Sequence, residues 1–182
     1  MDGFCEQVVK KKRNFKDNIM VAIYIMLTLG LPVLCGMLGY VVNFYFIYVG
    51  FFVFIGMVPL TIWLISNQKV EFEYQVIDDY LLVDKIVAKR KRKKIVRVKL
   101  CEIKDVVKFN EEYKGKKINK YYICIDEVNN PDAYAFVFYS DARGNCAVVM
   151  LPDERILNGM RPKLMSELQL KIIKMLREKE SR

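Results

Sequence analysis

A chain of 182 residues with a formal charge of +9 and no histidine lacks the commonest general base, metal ligand and pH switch, which argues against a catalytic site. Its five cysteines (Cys5, Cys35, Cys101, Cys124 and Cys146) include no CxxC pair, which excludes a zinc ribbon or a thioredoxin-type motif. The length leaves room for one soluble domain beside a membrane segment, and not for two.

Residues 1–17 read as a basic N-terminal arm. It holds Lys10, Lys11, Lys12 and Arg13, a topology signal that also suits contact with lipid headgroups, and its Phe4, Val8, Val9 and Phe15 suit a membrane surface. From Asn18 to Gln68 no residue carries a formal charge. A charge at the bilayer centre costs roughly 2.5–3.5 kcal/mol on insertion scales, and one span needs about 20 residues, so residues 18–67 are expected to form a transmembrane hairpin. The expected spans are 18–40 and 44–66, with a turn near Val41–Asn43. Gly36 and Gly39 offer a flat face for close helix contact, and Pro32 and Pro59 favour bends. No ionisable group lies in either span, which fits an anchor better than an ion or transport path. The cations cluster outside the hairpin and none lies between the spans, so both termini are expected in the cytoplasm of a two-span membrane protein.

Residues 68–182 are expected to form a cytosolic domain. Val70, Phe72, Tyr74 and Val76 alternate with Glu71, Glu73 and Gln75, the pattern of a strand with one buried and one wet face. Asp78-Asp79 marks a turn into a second strand over Tyr80–Ala88. Lys89, Arg90, Lys91, Arg92, Lys93 and Lys94 form a charged crest before a third strand at Ile95–Leu100. Further strands are expected at Glu102–Phe109, Lys120–Glu127, Ala133–Tyr139 and Cys146–Leu151. Polar turns are expected at Lys114–Asn119, Asn129–Asp132 and Asp141–Asn145. Asp153 and Glu154 open a short helix, and Pro162 a last one with Leu164, Leu168, Ile172, Met175 and Leu176 on its buried face. Lys171, Lys174, Arg177 and Lys179 form that helix's wet face. The order gives a mostly β, α+β fold: a seven-stranded antiparallel curved sheet or barrel with a C-terminal capping helix.

Over Tyr74–Val106, YQVIDDYLLVDKIVAKRKRKKIVRVKLCEIKDV, the chain resembles the bacterial pleckstrin-homology-like domains that follow a pair of transmembrane helices. Asp78, Asp79, Leu81 and Leu82 fit the strand-end motif of that family. Lys89–Lys94 fit its basic turn, and Ile95, Leu100, Ile103 and Val106 fit its next apolar strand. Ile77 stands where the family has Thr, and Val96–Lys99 lack its Pro. The resemblance implies a binding or assembly module, not an enzyme, and no cofactor.

The crest admits several roles. It suits anionic headgroups, where each Lys or Arg contributes about 1 kcal/mol. It also suits an acidic protein partner, another membrane protein or a second copy. Nucleic acid is disfavoured, because no nucleic-acid motif accompanies the charge. A plain solvated hairpin tip that reinforces topology is the remaining alternative. The acids Glu71, Glu73, Asp78, Asp79, Glu111 and Glu112 have no nucleophile with a base beside them, so neither a catalytic nor a metal site is expected. The function expected is a membrane-anchored scaffold or regulatory interaction protein. A lipid-headgroup or envelope-stress sensing module is the alternative, and a small membrane enzyme a distant third.

Overall fold

The computed structural model describes residues 4–109, 118–127 and 130–180, and the chain divides into two units: Lys12–Lys69, and Met1–Lys11 together with Val70–Arg182.

The first unit is a helical hairpin of α1 (Phe15–Val41) and α2 (Tyr45–Asn67). Both are long and apolar enough to cross a membrane, and their surfaces are largely exposed Leu, Ile, Val, Met and Phe. Asp17 starts α1 by accepting from the Asn14 backbone N–H at 3.1 Å, and Asn43 Oδ1 accepts from Tyr45 N–H at the start of α2. Each helix runs through its proline, Pro32 or Pro59. The helices meet through small residues. A Cβ on Gly50 would lie 2.9 Å from Cys35 Cβ and 3.1 Å from Pro32 O, and one on Gly39 would lie 2.5 Å from Ile47 Cγ1. Gly36, expected in this contact, faces Gly50 with its backbone, its N lying 3.8 Å from the Gly50 Cβ position, although a Cβ on Gly36 itself would meet nothing within 4 Å. The hydroxyls of Thr28 and Thr61 hydrogen-bond across the pair at 2.5 Å.

The second unit begins before the hairpin. Residues Cys5–Lys10, which the sequence assigns to an arm, form strand β1 and pair antiparallel with β2 (Val70–Ile77) from Cys5↔Val76 to Lys10↔Glu71. β3 (Tyr80–Val87) and β4 (Lys91–Lys99) complete a four-stranded sheet in chain order. The crest expected as a turn is therefore mostly strand: Lys91–Lys94 open β4, and only Ala88–Arg90 turn. The second sheet has the order β5-β7-β8-β6, from β5 (Ile103–Lys108), β6 (Lys120–Ile123), β7 (Tyr134–Ser140) and β8 (Gly144–Met150). The seven strands expected after the hairpin are present as β2 to β8, β1 adds an eighth, and β6 runs parallel to β8, the one pair that departs from the antiparallel expectation. A parallel pair needs a long crossover, and here the chain between β7 and its partner β5 carries β6 to the far side of β8. The expected turn at Lys114–Asn119, Asn129, Glu111 and Glu112 lie wholly or mostly outside the described residues.

One core joins both sheets and the last helices. Phe72, Tyr74, Val76, Leu81, Val83, Val96 and Val98 from the first sheet meet Ile103, Val106, Phe136, Phe138, Val148 and Met150 from the second. Helix α3 (Glu154–Met160) adds Ile156, Leu157 and Met160. Helix α4 (Ser166–Glu180) adds Leu168, Ile172 and Met175. Pro162 sits in a 3-10 turn at Arg161–Lys163, four residues before α4 begins, because its fixed φ suits the turn and Leu164 then extends. Lys179, expected on the wet face, is half-buried. It donates to Pro152 O, and its pKa is lowered by burial.

Candidate functional site: the basic hairpin and the acidic row beside it

The β3–β4 hairpin turns with two consecutive non-glycine residues in left-handed conformation, Ala88 at φ 54° and Lys89 at φ 57°. Arg90 N–H closes the turn on Val87 O at 3.1 Å. Two positive φ values match the right-handed twist of the flanking strands, which is why such a turn appears here, although Gly or Asn would adopt it with less strain. All six cations from Lys89 to Lys94 are exposed.

Pairing fixes what lies beside them. On the outward face of the first sheet, one cross-strand row runs Val8, Glu73, Asp84, Lys94, and the next runs Lys10, Glu71, Ile86, Arg92. A bulge between Val83 and Asp84 brings Lys94 opposite Asp84. Arg92 leans back over the sheet and meets Glu73, with Nη2 2.9 Å from Oε2. Gln75 Nε2 donates to Glu73 Oε1 at 3.0 Å. One of the six crest cations is thus engaged within the chain.

Alternation assigns Glu73 to the wet face, and the face is right, but the side chain is covered, at 2 % exposure. Asp84 directly opposite is 7 % exposed, and its Oδ1 has no hydrogen-bond partner among the described residues. Burial raises the Glu73 pKa first, and a hydrogen bond with the neighbouring Glu6 carboxyl raises it further. Gln75 and Arg92 pull it back. Period-two reasoning gives a direction and cannot say that neighbouring long side chains will close over it. Cross-strand pairing of two acids is the signal that only the register reveals.

The N-terminal cations divide. Lys10 is the last residue of β1, and the Lys11 backbone N–H donates to Val70 O at 3.0 Å. Lys12 and Arg13 lie between β1 and α1. Elsewhere in the same unit, Arg97 stacks over the Tyr80 ring at 4.5 Å to its centroid. The thiol of Cys124 is buried, and burial pushes its pKa up to about 12, which keeps it protonated. Tyr74, also buried, donates to Cys124 O, and its pKa is raised by that burial. Among the described residues no three His, Cys, Asp or Glu side chains gather in a metal-holding arrangement.

Two apolar helices, two packed sheets, a basic β3–β4 hairpin and a C-terminal helix against the core are the architecture against which a family can be judged. The model of the family described as a bacterial PH-like domain matches residues 1–169. The chain belongs to that family. The matched stretch takes in β1 and the hairpin as well as the sheets, so the PH-like domain here is interrupted by α1 and α2 rather than preceded by them. No curated protein and no solved structure matches the chain.

Proposed function

We propose that this PH-like protein is a membrane-anchored, non-enzymatic interaction module, a scaffold or regulatory subunit, that presents its β3–β4 crest to an anionic surface at the cytoplasmic face. In this reading α1 and α2 span the bilayer with both termini inside, and the nearest anionic surface is the headgroup layer.

One observation carries the reading. The register places Lys11, Val70, Val87 and Lys91 in a single cross-strand row. Lys11 and Val70 are where the chain leaves the first sheet toward α1 and returns from α2. The crest therefore lies at the same end of the sheet as both connections to the apolar helices, two strand spacings (about 10 Å) from Val70 and three (about 14 Å) from Lys11. Each exposed cation near an anionic leaflet contributes about 1 kcal/mol. Since two spans would already retain the protein, the crest's work is to set the orientation of the domain rather than to recruit it.

The test uses the full chain in lipid nanodiscs. With anionic lipid present, Lys89, Lys91, Lys93 and Lys94 should be protected from a lysine-directed reagent read by mass spectrometry, and high salt should remove the protection. Equal labelling in zwitterionic and anionic discs would remove the headgroup contact and leave an acidic protein surface as the crest's partner. Topology is checked separately. In a variant lacking the native cysteines, a cysteine at Asn43 should react with an impermeant reagent in whole cells, and one at Asp141 should not.

A further inference from the structure

A four-stranded sheet open at both sides presents two strand edges, and the two sheets here present four: β1, β4, β5 and β6. Exposed edges are templates for pairing, and proteins usually block them. β4 carries Lys91, Arg92, Lys93, Lys94, Arg97 and Lys99, so a second β4 would be repelled. On β5 the Val106 N–H is capped by Asp105 Oδ1 at 2.8 Å, and the same oxygen holds Lys171 Nζ at 2.5 Å. β6 is four residues long. β1 has none of these protections.

The geometry of β1 is specific. Lys11 N–H bonds to Val70 O, and antiparallel pairs alternate, so Lys11, Val9, Gln7 and Cys5 turn their backbone groups toward β2. Glu6, Val8 and Lys10 turn theirs away from it. No backbone bond from these three to anything beyond β2 is found among the described residues. Their side chains are exposed, Val8 at 46 %, and neither Glu6 nor Lys10 forms an ion pair among the described residues.

We infer that β1 is a homodimer edge, on which two copies of this chain pair antiparallel about a two-fold axis through Val8. That register sets Val8 against Val8, and Glu6 of each copy against Lys10 of the other. The same three residues that have outward backbone groups then form the inter-chain hydrogen bonds, so the hydrogen-bond phase and the charge pattern select one register. The pairing is isologous and closed, and it makes one continuous eight-stranded sheet from two four-stranded ones. It also brings a cation to Glu6, whose carboxyl lies beside the buried Glu73. The inference does not depend on what the crest contacts.

The experiment measures the protein mass of the full chain in mild detergent by light scattering over a concentration series, with circular dichroism on each variant. The wild type should dimerise. Glu6→Lys and Lys10→Glu should each raise the dissociation constant about tenfold or more, since each turns two attractive cross-strand pairs repulsive, and the double exchange Glu6→Lys/Lys10→Glu should restore it. Val8→Pro should dissociate the dimer with an unchanged spectrum, because the N–H that it removes makes no bond within the monomer. If the charge variants lose their fold, Val8→Pro alone decides. A wild type that stays monomeric, a dimer indifferent to all of these changes, or an open ladder of larger species would overturn the inference.

Discussion

At the scale of single residues, two features of the first sheet run against local preference. Ala88 and Lys89 hold positive φ without being glycine, which costs about 1–2 kcal/mol per residue. Ala88→Gly should relieve part of this and raise the unfolding free energy from urea titration by up to about 1 kcal/mol, and an unchanged or lower value would show that the turn is not strained in solution. Glu73 is the second feature. Its pKa is raised above the ordinary value of 4.5, so the folded state holds its proton more tightly than the unfolded chain does. Stability from this group is greatest below pH 4.5, falls as pH climbs from there to the raised value, and stays lower above it. Glu73→Gln should flatten the fall while keeping hydrogen bonds to Gln75 and Arg92. Thermal unfolding measured from pH 4 to 8 checks this, and an equally steep slope in the variant would show that another group is responsible. Neither feature was legible in sequence. KRKRKK contains no turn residue, and a strand's outward position usually means water.

At the scale of elements, one side chain ties β1 beyond its own sheet. Gln7 Nε2 donates to Leu151 O at 2.8 Å, and Gln7 Oε1 accepts from Asp153 N–H at 2.8 Å, tying the edge of the first sheet to the point where the second sheet passes into α3. Gln7→Ala leaves both backbone groups without this partner and should cost about 1–3 kcal/mol in chemical denaturation. Helix α4 was legible because its apolar residues recur at helical spacing, and Ile172, fully buried, should cost about 2–5 kcal/mol as Ile172→Ala. In the helical hairpin, the Thr28–Thr61 hydrogen bond should show a coupling of about 0.6 kcal/mol in a double-mutant cycle with alanine at both sites. A coupling of zero would leave the glycine contacts as what holds α1 to α2.

At the scale of the whole molecule, the chain starts the PH-like domain, leaves it for two apolar helices, and returns to finish it. A fragment of residues 68–182, cut where composition changes, would lack β1 and expose the edge of β2. Such a fragment should aggregate or lose stability relative to the full chain. If size-exclusion chromatography found it monodisperse and fully cooperative in unfolding, β1 would be dispensable to the fold. The sequence by itself determined the apolar hairpin, the inward and outward faces of β2, and the helical face of α4, because each rests on a short-range period of hydrophobicity that neighbours in the chain express directly. It also carried the resemblance that the family match bears out. The tertiary structure alone decided that Cys5–Lys10 is a strand, that β6 lies parallel to β8, that Glu73 and Asp84 share a buried row, and that the crest stands at the end of the sheet where the helices connect. The first two depend on pairing between segments far apart in the chain, and a distant partner leaves no periodic mark on the strand that it completes; the last two depend on the register of the successive β2–β3–β4 hairpins, which periodicity alone leaves open.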